Sequence, residues 1–247
     1  MIRSLKSMSL FSLGATDGEI GKVKELYLDD ESWVIRYWVV DTGDWLPKNK
    51  VLIAIQSLLK PDWENGVLET DLTLDQIRSS PDIDTDKPVS RQEEMKLYNH
   101  FPWRIYWGPG VGSKGSFIPL TESVKAALAE DAQNRSNSND PHLRSSDKLI
   151  GYDIQTTDGQ FGHLADLIIE TDTWEVTSLV IETGSWLSSK KILLPVSAVN
   201  EINWSASNLS ISLCMEDIKN SETYNPEAPV NPIEDGSFLD YYGQSVS

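Results

Sequence analysis

The chain has 247 residues, of which 39% are hydrophobic, nine are Trp and one is Cys, and its formal net charge is −17. Such a hydrophobic share belongs to globular rather than disordered chains, and the lone Cys214 excludes an intramolecular disulfide framework and fits a reducing, cytoplasmic compartment. The charge argues against direct nucleic-acid binding, which needs clustered Lys and Arg, and against broad contact with an anionic bilayer; no apolar run approaches the roughly 20 residues of a membrane span.

The chain opens on MIRSLKSMSLFSLGA, which imitates a signal peptide, with Arg3 and Lys6 ahead of a short apolar piece. It has an internal counterpart, LIGYDIQTT at 149–157, and is therefore read as a first strand retained in the mature protein. Residues 17–58 then align without a gap on residues 158–199, Asp17 falling on Asp158 at an offset of 141. A repeat of this length, with about a dozen identities, means two copies of one folded module.

Both copies read as short strands broken by turns. Asp17-Gly18 and Asp158-Gly159 are hairpin signals. The next strand carries Ile20, Val23, Leu26 and Leu28 in one copy and Phe161, Leu164, Leu167 and Ile169 in the other. Its alternation slips between Ile20 and Val23, and between Phe161 and Leu164, which predicts a bulge in each copy. An acidic turn leads to the most apolar strands, Trp33 to Val40 and Trp174 to Ile181, closed by Thr42-Gly43 and Thr183-Gly184. Further strands are expected over 51–55, 67–72, 192–196 and 209–213, a spacing that fits a small barrel or sandwich. Thr73 with Gln76 and Ser90 with Glu93 form capping boxes ahead of two helices. A third helix follows Thr121, with Leu120, Val124, Ala127 and Leu128 on one face. The polar run NRSNSNDP at 134–141 has the composition of a flexible connection. The expected division is a first module with its arm over 1–103, a linker over 104–148 and a second module with its arm over 149–247.

The DG turn, charged strand, acidic turn and Trp-led apolar strand ending in VVDTG-x-WL together resemble the PRC-barrel family, named for the cytoplasmic domain of the photosynthetic reaction-centre H subunit. SPDIDTDKPVSRQEE at 80–94, followed by HFPWRIYW, is similar to the arm of stand-alone bacterial proteins with two such barrels. In the second copy the arm reads SETYNPEAPVNPIEDG, and Pro232 at the position of Arg91 weakens the cap signal there. The resemblance implies a mainly β fold of two small antiparallel barrels, each with a C-terminal helical arm, related by a pseudo-two-fold. It implies a protein-binding or assembly role and no catalytic residues. Peripheral membrane association and a role in ribosome maturation enter only by analogy with family members.

Candidate chemistry is sparse. Asp41-Thr42-Gly43, echoed by Glu182-Thr183-Gly184, imitates the paired loops of aspartic proteases, where two close carboxylates share a proton. The Glu in the second copy and Asp44 after the first Gly depart from that pattern, so both are read as strand ends with a Gly turn. Asp82, Asp84 and Asp86 imitate the start of a calcium loop, but its sixth position, which needs Gly, holds Lys87. His100, His142 and His163 lack ligand spacing, and GPGVGSKG lacks that of a phosphate loop. The remaining candidates are aromatic: Trp45 and Trp186 after the Gly turns, as interface anchors or as packing over a barrel end, and Trp103, Tyr106 and Trp107 at the start of the linker, docking within the chain or between chains. The expectation is a non-catalytic interaction or scaffold protein without cofactor or metal, with an unidentified protein partner, the two barrels pairing with one another through the repeated aromatic surface and the chain also forming a homodimer. A small-ligand or metal site between barrels, or a ribosome-associated accessory role, is the alternative.

Overall fold

The computed structural model describes residues 1–9, 11–46, 49–84, 87–108, 117–134, 141–183, 190–221 and 223–225, and the fold is mainly β. Contacts divide the chain into two units. The N-terminal unit is Met8–Ile150 with Thr173–Glu175; the C-terminal unit is Met1–Ser7, Gly151–Asp172 and the described residues from Val176 onward. Residues 1–7 thus lie in the C-terminal unit and residues 141–150 in the N-terminal one. In chain order the strands are β1 (Ile2–Ser4), β2 (Ser12–Ala15), β3 (Gly18–Asp29), β4 (Val34–Asp41), β5 (Lys50–Ala54), β6 (Val67–Glu69), β7 (Val89–Ser90), β8 (Arg104–Ile105), β9 (Ile118–Pro119), β10 (Pro141–Ser145), β11 (Asp153–Thr156), β12 (Gly159–Glu170), β13 (Glu175–Glu182), β14 (Lys191–Pro195), β15 (Val199–Asn203) and β16 (Asn208–Ile211).

In the N-terminal unit β3 is the hub. It pairs antiparallel with β2, β4 and β10, while β4 carries β5, and β10 carries β7. β2 pairs parallel with β6, because three strands intervene between them in the chain. The C-terminal unit repeats the plan: β12 pairs with β11 and β1, β11 runs parallel to β16, and β13 carries β14. The parallel registers match at the sequence offset, Leu13 facing Leu68 and Ile154 facing Leu209. These pairings leave the sheet open rather than closed into a ring.

The expected bulges are present in both copies. Leu13 pairs with Gly21 and Gly14 with Glu19, which leaves Ile20 as the extra residue; Ile154 pairs with Gly162 and Gln155 with Gln160, which leaves Phe161. The glycine beside each bulge is required by close approach. A Cβ on Gly21 would overlap the carbonyl oxygen of Asp41, and one on Gly162 that of Glu182.

Trp33 and Trp174 both take left-handed backbone, at φ 57° and 59°. This conformation is costly for a bulky L-residue and must be held by its surroundings. At Trp33 the holding contacts are local: Asp29 Oδ1 accepts from Ser32 N and Oγ at 2.9 and 2.8 Å, and Trp33 N donates to Asp29 O at 2.9 Å. Both Trp are half-buried, with Trp174 edge-on to Trp38 at 5.3 Å, and the core Trp of β4 is Trp38, at 0% exposure. Trp38 faces Leu26 and Ile53 across the ladders, and Leu13, Ile20, Leu26, Ile53 and Leu68 are all fully or almost fully buried.

The helices are α1 (Leu5–Met8), α2 (Leu74–Arg78), α3 (Arg91–His100), α4 (Glu122–Asn134), α5 (Ser146–Leu149) and α6 (Met215–Lys219). Both predicted capping boxes form, at Thr73–Gln76 and Ser90–Glu93, and Thr121 Oγ1 accepts from Val124 N. A duplicated tie fixes α2 and α6 to the hairpin turns: Asp17 Oδ1 accepts from Leu74 N at 2.8 Å, and Asp158 Oδ1 from Met215 N at 2.9 Å. Of the predicted flexible run at 134–141, Asn134 ends α4 and Pro141 opens β10; residues 135–140 and the second arm beyond Asn225 lie outside the described residues.

The glycine contacts lead to a paired prediction. Gly21→Ala and Gly162→Ala should each destabilise the chain by about 1–3 kcal/mol, the usual cost of overpacking. Urea unfolding of each variant against wild type measures it.

Candidate functional site

Glu94, on α3, is completely buried. A carboxylate without water must be answered by donors, and four converge on it. Tyr37 and Tyr106 hydroxyls donate to Oε1 at 2.7 and 2.8 Å; His142 Nε2 and Arg91 Nη1 lie 2.8 and 3.2 Å from Oε2. Arg91 also reaches Asp29 Oδ2 at 3.1 Å. Arg36 is the extra residue where the β3–β4 register slips, between the Tyr27–Tyr37 and Leu28–Ile35 pairs. Its guanidinium lies over the Tyr106 ring at 3.7 Å. Tyr98 and Trp103 pack edge-on, and Trp103 stacks on Phe101 at 4.1 Å.

The electrostatics follow from burial and from these charges. Burial, and then the Glu94 carboxylate, push the phenols of Tyr37, Tyr98 and Tyr106 well up, so they stay protonated donors. Burial would raise Asp29, but Arg91 and the Ser32 hydrogen bonds outweigh it and hold the carboxyl below its ordinary range. Burial would lower Arg91, but Tyr106, Glu94 and Asp29 reverse this and raise it. The cluster is closed and internally satisfied, apart from His142 Nδ1 and Arg36 Nε, which are buried without a hydrogen-bond partner. It fixes α3, β4, β10 and the segment after β8 to one another and leaves a substrate no access to Glu94.

A separate open cleft of about 420 Å³ lies along the first part of β3 and the end of β4, lined by Lys22, Lys24, Asp41, Thr42 and Trp45 among others. Trp45 is half-buried, its Nε1 donating to Ile20 O at 2.7 Å and its ring 5.7 Å from the Arg78 guanidinium. Asp41 is the exposed last residue of β4, and its Oδ1 accepts from Gly43 N at 2.9 Å. This carboxylate is occupied by its own turn.

The predicted anchors therefore separate. Trp103 and Tyr106 are buried, at 5% and 7% exposure, with Trp103 Nε1 donating to Ser57 Oγ at 2.5 Å; neither presents its ring to a partner. Trp107 is half-buried against Tyr98, Tyr106 and Arg91, and Trp45 borders the cleft. Trp186 and Gly184 lie outside the described residues, as do Asp86 and residues 109–115 of GPGVGSKG. Asp84 pairs with Lys87 at 2.8 Å, the residue at the position where a calcium loop needs Gly. His100 contacts Gln76 O, and His163 is half-buried. Among the described residues no group of His, Cys, Asp and Glu is placed to hold a metal, and no helix is long and apolar enough to cross a membrane. Sequence reading missed Glu94 and the role of His142. The available signal was a second carboxylate beside the capping Glu93, on the inward side of a helix that buries Leu97 and Tyr98.

The family model of the PRC-barrel domain matches residues 141–206. That stretch is a PRC-barrel domain, and the match opens on the first residue of β10. No curated protein matches the chain.

Two predictions follow from the buried cluster. Glu94→Gln puts an amide NH2 among four donors and should destabilise the chain by about 3–5 kcal/mol, as for a broken buried ion pair, whereas Tyr37→Phe should cost about 1.5–3 kcal/mol for one hydrogen bond to a charged group. Urea unfolding at neutral pH separates them. The second concerns acid. A carboxyl held low in the folded state contributes stability that is complete above its unfolded pKa, near 3.9, and is lost as pH falls through the folded value. Wild type should lose the Asp29 contribution as pH falls below about 4, and Asp29→Asn should flatten that part of the stability curve, measured by urea unfolding at stepped pH.

Proposed function

We propose that the chain is a tandem pair of PRC-type β-barrels, related by a pseudo-two-fold and each followed by a helical arm, and that it serves as a non-catalytic interaction or assembly protein in a reducing, cytoplasmic compartment. The tandem reading is supported by strand registers and helix ties that recur at the offset of the sequence repeat. One observation carries the functional reading. The strongest constellation of ionisable groups is sealed around Glu94 and spent on holding elements together, whereas the aromatic edge at Trp45 borders open space. Half-exposed Trp beside charged residues is the composition of an interface anchor. The partner is a protein, and the net charge of −17 favours a basic surface on it.

The cleft beside Trp45 also supports a second reading, a small ligand held by Lys22, Lys24 and the indole. The two are separable. Under the interaction reading, crosslinking pull-down from native lysate captures a partner with wild type and loses it with Trp45→Ala, while the far-ultraviolet circular dichroism of the variant is unchanged. Equal capture by both chains would remove Trp45 from the interface. Thermal stabilisation by a small metabolite, abolished by the same variant, would transfer the site to the ligand reading.

A further inference from the structure

The two units complete their sheets with first strands drawn from across the chain. β1, at the head of the first repeat, pairs with β12 of the second; β10, at the head of the second repeat, pairs with β3 of the first. The registers are the same at the repeat offset: Ile2, Arg3 and Ser4 face Glu170, Ile169 and Ile168, as Leu143, Arg144 and Ser145 face Asp29, Leu28 and Tyr27. A side-chain clamp recurs with them. Ser4 Oγ donates to Asp166 Oδ2 at 2.6 Å, and Ser145 Oγ donates to Glu25 Oε2, at the equivalent position. Each edge therefore recognises one short element, an Ile or Leu followed by Arg-Ser, with the serine locked on an acid of the acceptor strand.

We propose that a second copy of this chain is a partner, joined by reciprocal exchange of the Met1–Ser7 arm, so that the arm of one copy lies on β12 of the other in the register described. The arm and the residues that follow it belong to different units, with the change at Ser7–Met8. The contacts made on β12 are the same whether the arm arrives from its own chain or from another. The balance is then set by the connection and by concentration, the condition under which exchange of identical elements forms dimers.

The β1 arm is the exchangeable one because β10 is additionally pinned. His142 lies on Glu94, and Arg144 pairs with Asp30 at 3.0 Å. The residues at the positions of His142 and Asp30 in the other copy are Met1 and Thr171. There the arm relies on its strand pairing, on Asp166 with Ser4 Oγ and Lys6 N, and on contacts of Met1 with Glu170, Thr171 and Asp172.

The test uses the full chain with Ile2→Cys and Glu170→Cys in a Cys214→Ser background, because residues facing each other across an antiparallel pair lie within disulfide reach. After refolding at rising protein concentration and oxidation, non-reducing electrophoresis should show a covalent species of twice the chain mass whose share grows with concentration. Closed single chains at every concentration would overturn the proposal. Should the cysteine variant fail to fold, tagged and untagged wild-type chains are refolded together. Co-purification on the tag that is suppressed by excess peptide of residues 1–8, but not by the same peptide with Ser4→Ala, supports exchange. No co-purification, or co-purification indifferent to the peptide, overturns it. Because Trp45 is intact throughout, failure here leaves the interaction reading standing.

Discussion

A carboxylate buried without water constrains everything placed around it, and Glu94 is that carboxylate in the N-terminal unit. Its partners come from separate parts of the chain: Tyr37 from β4, Arg91 from its own helix, Tyr106 from the segment after β8 and His142 from β10. Two of these elements have little backbone pairing of their own: β8, ahead of Tyr106, has two residues and β10 has five, whereas β4 is paired on both sides. Hydrogen bonds to a desolvated charge are stronger than those between neutral groups, and leaving one unmade is correspondingly costly. The short peripheral strands are thus held as much by a common charge as by ladders. The bulge at Arg36 belongs to the same arrangement, since the extra residue turns a cation over the face of Tyr106.

Of this charged interior the sequence repeats the carboxylates, Asp29 falling on Glu170 and Glu94 on Asp235, but not their partners. At the repeat offset Arg36 becomes Thr177, Tyr37 becomes Ser178 and Arg91 becomes Pro232. What else recurs is of another kind: the glycines under the strand ends, the left-handed Trp after the acidic turn, the Asp that caps the short helix, and the Ser–acid clamp on the first strand. These are backbone devices. They set where strands turn and which edges meet, and they are indifferent to what fills the interior. One copy carries an interior network of two carboxylates and two guanidinium groups; the other holds Thr, Ser and Pro at several of the same positions.

The same division explains how much was legible in the sequence. Turns, bulges and caps are written in residues a few positions apart, so Asp17-Gly18, the slip at Ile20 and the Thr73–Gln76 box could be read directly. Glu94 could not, because its partners lie 57, 12 and 48 residues away and a Glu next to a capping Glu looks like a solvated helix face. Trp103 and Tyr106 stand out in the sequence as docking aromatics, but what they dock against is not local. Their cluster in sequence is real, but Ser57 and Glu94, which draw them inward, are distant. β10 was hidden in the polar connection because a strand of five residues has too little alternation to register. Only the shared Arg-Ser of Arg3-Ser4 and Arg144-Ser145 marks it.

That shared dipeptide bears on why a duplicated module would exchange its first strand at all. A strand that closes the sheet of its own repeat makes the module complete, and nothing then holds two modules together except their surfaces. Once each repeat supplies the edge of the other, neither repeat finishes its sheet from its own strands alone. The edge residues have to satisfy two acceptor strands with one pattern, which accounts for the agreement of register, serine and acid in copies whose interiors have diverged. The anchoring is unequal: β10 carries an interior lock, His142 on Glu94, whereas β1 is held by its ladder on β12 and by Ser4 and Lys6 on Asp166.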